Sequence, residues 1–425
     1  MTMLSDLLSN ISQRRVRFAP RRTHDARDID QCLTDLISGS GEASGRSTAE
    51  TILDRYEAMD AAAKTEFFRF VVRNMDLSPD AVRAALEAYE TYPDRRTYGA
   101  FMEAAEPRRQ ELLRRLNQVP GATERLVRMR AELLKAMKHE PELGALDVDF
   151  HHLFTSWFNR GFLVLKPINW ESPAHILEKI IAYEAVHAIE TWGDLRRRVQ
   201  PADRRCFAFF HPAMPDEPLI FVQVALTRGV PNSVQGLLAE DRAPLATDEA
   251  DTAVFYSISN CQAGLAGISF GNSLIKQVAA DLALELPALK TFVTLSPIPG
   301  FAGWLAKSPY LVDTSEPEAM RVAAAHYLAD AKRDDGKPLD AVARFHLGNG
   351  AQIHAVHADA DISEKGLAQS RGAMVNYLYD LPRVAENHER FVGQNAVATS
   401  PDIRNLASQA AKTLTRKHKD DEPAL

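Results

Sequence analysis

The sequence predicts a two-part chain: a helical N-terminal region followed by an α/β or α+β domain. Three observations carry this. A length of 425 residues exceeds one ordinary domain. From about residue 47 to 137, apolar residues recur at helical spacing with almost no strand signal. Beyond His139–Gly144 the texture changes to short β-branched and aromatic runs mixed with amphipathic helices. The reading therefore places a helical domain over 1–143 and a mixed domain over 144–425.

Residues 1–45 are polar, carry a Gly/Ser cluster near 38–45, and read as largely irregular. Ser47 with Glu50 has the spacing of a capping box ahead of Ile52, Leu53 and Tyr56. Ser78-Pro79-Asp80 marks a helix start with proline in the first turn. Leu112, Leu113, Leu116, Leu126, Met129, Leu133 and Leu134 continue the helical period, and Pro107 and Pro120 punctuate it, so four to six helices are expected. In the second part, Phe162–Leu165 reads as a strand and Pro173–His187 as a helix. Cys206–Phe210 and Leu219–Leu226 read as strands separated by a turn in HPAMPDEP. Ala253–Ser259, Thr291–Leu295 and Ala351–His357 are further strands, and Leu274–Leu286 is an amphipathic helix. The charged tail from Arg416 reads as unstructured.

Composition excludes several classes. A net charge of −7 argues against a general nucleic-acid binder. Cys32, Cys206 and Cys261 are too few and too scattered for a disulfide framework or a thiolate zinc site, and suit a reducing compartment. No stretch has the roughly 20 apolar residues of a membrane helix, and no signal-peptide core is present. No membrane partner is expected, and the cytoplasm is the expected location.

Three places hold candidate chemistry. TLSPIPGF (294–301) puts Ser296 at the end of a strand. Pro297 and Pro299 push the residues before them out of the helical region, so the hydroxyl sits on a stiff loop. The plain alternative is a proline-rich turn with an incidental serine. Between the strand at 253–259 and the helix at 274–286, the glycines of GLAGISFGN (264–272) precede a helix N-terminus, a geometry that offers main-chain N–H groups to an anion. It lacks the Walker ending and the dinucleotide spacing, so it is no sign of ATP or NAD; packing glycines are the plain alternative. His346, His354 and His357 with Asp359 and Asp361 are the densest set of metal-ligand types, but His354 and His357 differ by an odd number on a strand and face opposite ways. His346, before a Gly-Asn-Gly turn, is either a structural hydrogen bonder or a proton donor. Tyr377 and Tyr379 are packing aromatics or the source of one phenol. The absence of Gly-x-Ser-x-Gly argues against an α/β-hydrolase.

Taken together, WFNRGFLVLKPINW (157–170), YEAVHAI (183–189), TWGDLRRR (191–198), HPAMPDEPL (211–219), VFYSISNCQAGLAGISFGNSLIK (254–276), TLSPIPGF (294–301), ARFHLGNGA (343–351) and AMVNYLYDL (373–381) resemble the malonyl-CoA decarboxylase family, in that family's order. The resemblance implies an α+β chain with an N-terminal all-helical domain for oligomerisation, as a dimer or tetramer, and a GCN5-related acetyltransferase-like mixed-sheet catalytic domain. It implies malonyl-CoA as substrate, no metal and no prosthetic group. It also implies Ser296 and His346 as the active-site pair, Tyr379 lining the site, and Ala266, Gly267, Ile268, Ser269, Phe270, Gly271 and Asn272 as the acyl-CoA loop. Gly271 matches the last glycine of the acetyltransferase phosphate motif, whereas Ser269 stands where an earlier glycine is usual. The chain ends Pro-Ala-Leu, unlike the peroxisomal address of some animal members. The chemistry implied is loss of CO₂ to leave a thioester enolate, with the hydroxyl holding the carboxylate and the imidazole supplying the proton. The rival readings are a CoA-dependent acyltransferase on the same fold and a non-enzymatic acyl-CoA sensor.

Overall fold

The computed structural model describes residues 26–39, 41–268, 274–308 and 316–420. The chain divides into two compact units, Met1–Ala122 and Thr123–Leu425. That division lies upstream of the junction expected near residue 143.

The first unit is helical: α1 (Ile29–Ile37), α2 (Glu42–Ala58), α3 (Ala61–Asn74), α4 (Pro79–Thr91), α5 (Arg95–Ala104) and α6 (Arg108–Leu116). Asp28, Asp60, Ser78 and Asp94 each accept a main-chain N–H at the start of α1, α3, α4 and α5, which satisfies donors that a helix end leaves open. Tyr56 meets Phe67 and Phe68 at ring separations of 5.0 and 5.8 Å, and all three are buried. Two expectations fail here. Ser47 and Glu50 lie inside α2 and form no capping box; Gly41 is the cap residue. The helix starts earlier because burial of Ala49, Ile52 and Leu53 holds it together through a Ser- and Gly-containing first half that has poor propensity of its own. α1 lies in the stretch read as irregular, because its buried stripe of Cys32, Leu33 and Leu36 is only two turns long.

The second unit opens on α7 (Ala122–Ala136) and α8 (Gly144–Trp157). Then follow β1 (Val164–Ile168), α9 (Ala174–Tyr183), α10 (Trp192–Val199), β2 (Arg204–His211), β3 (Met214–Thr227), α11 (Val234–Leu238), β4 (Thr252–Asn260) and α12 (Leu274–Glu285). After them come β5 (Thr291–Thr294), β6 (Ser296–Pro297), α13 (Phe301–Lys307), α14 (Pro317–Ala329), α15 (Ala341–Gly348), β7 (Gln352–His357), α16 (Glu364–Ser370), β8 (Met374–Leu378), α17 (Val384–Gln394) and α18 (Pro401–Asp420). The strands form one mixed sheet in the order β1-β2-β3-β4-β5-β8-β6, with β7 also on β8. Among the described strands β4–β5 pair in parallel and the other ladders are antiparallel. The class is thus α+β with a mixed sheet, as expected.

Several boundaries move. The 2-residue link between β2 and β3 falls at Pro212–Ala213, and PDEP lies within β3. Register shifts around Phe210 absorb the prolines that made this stretch read as a turn. β1 starts at Val164 and tolerates Pro167 because it is the sheet's edge. α9 stops at Tyr183, where the Glu184 carboxylate accepts the N–H groups of Val186 and His187 and turns the chain. α18 runs to Asp420, across the start of the stretch read as a charged tail.

Two groups of helices cover one face of the sheet through distinct cores. Ile176, Leu177 and Ile180 of α9 and Leu195 and Val199 of α10 pack on Cys206, Ala208, Phe210 and Phe221. On the same face, Val234 and Leu237 of α11 pack with Ala225, Val254, Tyr256, Val293 and Leu295. Side chains alternate along a strand, so Thr294 and Ser296 point to the opposite face from Val293 and Leu295. Among the described residues no helix is long and apolar enough to cross a membrane, and no three His, Cys, Asp or Glu side chains cluster as a metal site.

Candidate active site

β5 and β6 are consecutive, with Leu295 between them donating its N–H to Phe255 O at 3.0 Å. Ser296 and Pro297 then pair with Val375 and Met374 of β8. Pro297 supplies no N–H and Pro299 holds Ile298 out of the helical region, so the chain leaves the sheet one residue after the serine. His346 comes from the last turn of α15. Asp340 caps that helix by accepting the Ala343 N–H at 2.9 Å, and Gly350 ends it at φ +83°. An added Cβ on Gly350 would lie 2.0 Å from Val384 O, so only glycine fits this turn. Tyr379 follows β8, and its N–H reaches Phe292 O at 2.8 Å.

These three elements bring the predicted catalytic residues into one row. His346 Nε2 is 3.2 Å from Ser296 Oγ, and His346 Nδ1 is 2.9 Å from the Tyr379 hydroxyl. Ser296 Oγ donates to Thr294 Oγ1 at 2.9 Å, and the same oxygen accepts the Tyr377 N–H at 3.2 Å. The Tyr377 ring stacks on the imidazole at 4.4 Å. All three side chains are buried: Ser296 is 5% exposed, His346 2% and Tyr379 1%.

Burial pushes the His346 pKa down to about 3, because a charged imidazole has lost its water. Burial also raises the Tyr379 phenol well above its ordinary value. At neutral pH the imidazole is neutral and the phenol protonated. The phenol has a hydrogen to donate, and Nδ1 is its hydrogen-bond partner. Nδ1 is then the acceptor, and the ring proton sits on Nε2, aimed at Ser296 Oγ. The hydrogen bonds run one way: Tyr379 to His346 to Ser296 to Thr294.

Ala266, Gly267 and Ile268 of the predicted acyl-CoA loop follow β4. Ser269, Phe270, Gly271 and Asn272 lie outside the described residues. The preceding turn is anchored from α7. Arg130, almost wholly buried, donates Nη1 to Gly264 O at 2.8 Å and Ala266 O at 2.9 Å, while Nε pairs with Asp147 at 2.7 Å. A Cβ on Gly264 would sit 1.8 Å from Val127 O, so this glycine serves close packing on α7. Lys276 stands in the first turn of α12, and its pKa is lowered by burial and then by the charge of Arg160.

Thr294, Arg130 and the Lys276–Arg160 pair escaped the sequence reading. Thr294 was findable, since it lies two residues from Ser296 on a strand. Arg130 carried no local signal within its helix. His354 and His357 lie on β7 apart from this row, and His357 Nε2 is engaged with Asn376 Oδ1 at 2.5 Å.

The profile of the malonyl-CoA decarboxylase C-terminal domain matches residues 161–317 and 311–417, and that of the N-terminal domain matches 76–158. The solved malonyl-CoA decarboxylase of Agrobacterium vitis is 48% identical with a TM-score of 0.85, over 90% of this chain and all of that one. That of Rhodopseudomonas palustris is 46% identical with a TM-score of 0.84, over 89% and 98%. The mitochondrial malonyl-CoA decarboxylase of Mus musculus is 34% identical over 356 residues, 71% of this chain and 72% of its own.

Proposed function

The chain belongs to the malonyl-CoA decarboxylase family and is an enzyme that decarboxylates malonyl-CoA, and from that premise we propose that the row Ser296–His346–Tyr379 performs the reaction. The observation that carries this reading is the 3.2 Å approach of Ser296 Oγ to His346 Nε2, both side chains being buried.

In this reading the malonyl carboxylate meets Ser296 and exchanges for Thr294 as the partner of its hydroxyl. An anion beside a buried neutral imidazole favours the charged ring, so His346 takes up a proton as substrate binds. The bond from Cα to the carboxylate then breaks. CO₂ leaves, and the electron pair moves into the thioester as an enolate. The enolate carbon takes the Nε2 proton, giving the acetyl thioester and returning His346 to neutrality, so one proton is consumed per turnover. Tyr379 turns from donor to acceptor at Nδ1 when the ring first charges; loss of the Nε2 proton leaves the ring proton on Nδ1, and the next turnover recharges the ring at Nε2. The thioester itself accepts the electron pair, which is why the mechanism calls for no metal or prosthetic group. Each preorganised donor of this kind is worth about 3–4 kcal/mol to the transition state.

Main-chain groups of Ala266–Asn272 would carry the CoA pyrophosphate, with Lys276 and Arg160 balancing its charge. The helical N-terminal domain would hold a homodimer or tetramer, which light scattering tests directly. Cys32, Cys206 and Cys261 are buried and form no disulfide, which supports a reducing compartment, taken to be the cytoplasm.

Calorimetric titration with a non-decarboxylating malonyl-CoA analogue, in buffers of different ionisation heat, tests the mechanism. Uptake approaching one proton near pH 7 is expected, and none in His346→Gln. Binding without proton uptake in the parent enzyme would overturn the imidazolium step.

A further inference from the structure

On the face of the sheet away from Ser296, α10 and α11 leave a cavity of about 90 Å³ beside the start of β2. Arg197, Arg198, Arg204 and Arg242 line it, together with Asp194 and Glu240. Its place follows from the register. Arg204 pairs with Ala225, which packs against Leu237, and Arg204 donates to Leu237 O at 2.7 Å.

Three of the four guanidinium groups have counter-charges. Arg242 grips Asp203 with two bonds of 2.6 and 3.1 Å, and Arg204 lies 3.5 Å from the same carboxylate. Arg197 pairs with Asp194 and with Glu240. Arg198 differs. It is buried, and its hydrogen bonds go to two neutral carbonyls, His187 O at 2.7 Å and Ala188 O at 2.8 Å. No carboxylate lies within ion-pair distance of it among the described residues. Four cations face three carboxylates, so one buried positive charge is left over. An isolated buried charge is costly, and it is normally matched by an anion. The remaining guanidinium donors suit a tetrahedral oxyanion.

We propose that this cavity binds a phosphate group, at a site separate from the Ser296–His346 row. The unmatched guanidinium calls for a small anion of phosphate size, inorganic phosphate and not a phosphate carried on CoA. The placement on the opposite face favours the free ion. Occupancy would also fix the 184–190 segment, because Arg198 holds two of its carbonyls.

The test is calorimetric titration of the full chain with inorganic phosphate at constant ionic strength, using chloride as the control. Saturable binding is expected, together with slower amide exchange in 184–190. Arg197→Glu should weaken it about tenfold or more while leaving malonyl-CoA turnover unchanged, and Arg198→Met should do the same. If Arg198→Met does not fold, Arg197→Glu alone decides, since it leaves the Arg198 carbonyl bonds in place. Phosphate acting no differently from chloride, or binding undiminished in Arg197→Glu, would overturn the proposal. Competition by saturating CoA would also overturn it, by assigning the pocket to the substrate's own phosphates.

Discussion

His346 Nε2 and Ser296 Oγ lie 3.2 Å apart across 50 residues of sequence, joined by a helix end on one side and a proline-stiffened strand end on the other. Neither side chain has freedom to drift. The imidazole is sandwiched against Tyr377 and bonded at both nitrogens, and the hydroxyl has a second partner in Thr294. This preorganisation is the physical basis of the expectations below.

Ser296→Ala removes the hydroxyl that bridges His346 and Thr294. The fold should persist, and kcat should fall by roughly 10²–10³. Release of CO₂ from malonyl-CoA measures it. Turnover at the parental rate would take Ser296 out of the mechanism.

Thr294→Val keeps the shape and deletes the acceptor shared by Ser296 and the Tyr377 N–H. A buried donor left unpaired costs about 1–3 kcal/mol, seen as a lower Tm. As a positioning residue, Thr294 should affect kcat by about tenfold and KM little. Thr294→Ser should restore both. A Thr294→Val enzyme with normal kcat would show that Ser296 needs no such support.

The lowered His346 pKa fixes the sign of one pH effect. Its folded value is about 3, against an ordinary value of about 6.5. Between these values the unfolded chain binds the extra proton, so this contribution is intact above about pH 6.5 and is lost as pH falls toward 3. Urea unfolding at pH 7.5 and pH 5 reads it. The parent should lose about 2 kcal/mol more than His346→Gln over that interval. Equal losses would mean that the imidazole is not held neutral by burial. His187, also lowered by burial to about 4, titrates in both proteins and cancels in the difference.

Arg130→Met and Lys276→Gln probe the loop. Arg130→Met frees the carbonyls of Gly264 and Ala266, and Lys276→Gln removes a cation from the start of α12. Both should raise KM for malonyl-CoA several-fold with kcat largely kept. A fall in kcat at unchanged KM would instead tie this region to the chemical step.

Much of this site was legible from local physics. Ser296 stood out because two prolines and a β-branched run leave its backbone few choices. The glycines after His346 announced a turn into a strand; that the residue itself ends a helix, capped by Asp340 and closed by Gly350, was not read. Other features were not legible. Ser47 and Glu50 imitate a helix start, yet buried contacts of α2 carry the helix past them. PDEP has the composition of a turn but is absorbed by β3 through irregular register. Thr294 looks like one more strand residue until Ser296 is seen to lean on it. Arg130 meets Gly264 and Ala266 only after more than 130 residues of chain have folded back, and no periodicity reports such a meeting.

That long-range tether bears on any attempt to shorten the protein. A fragment cut at residue 161, where the C-terminal profile begins, would keep the serine, the imidazole and the phenol. It would discard Arg130, Val127 and Asp147, the props beneath the turn after β4. Such a truncation should be a poor crystallisation or screening target, because the turn after β4 would have lost its foundation while the Ser296–His346–Tyr379 row looked untouched.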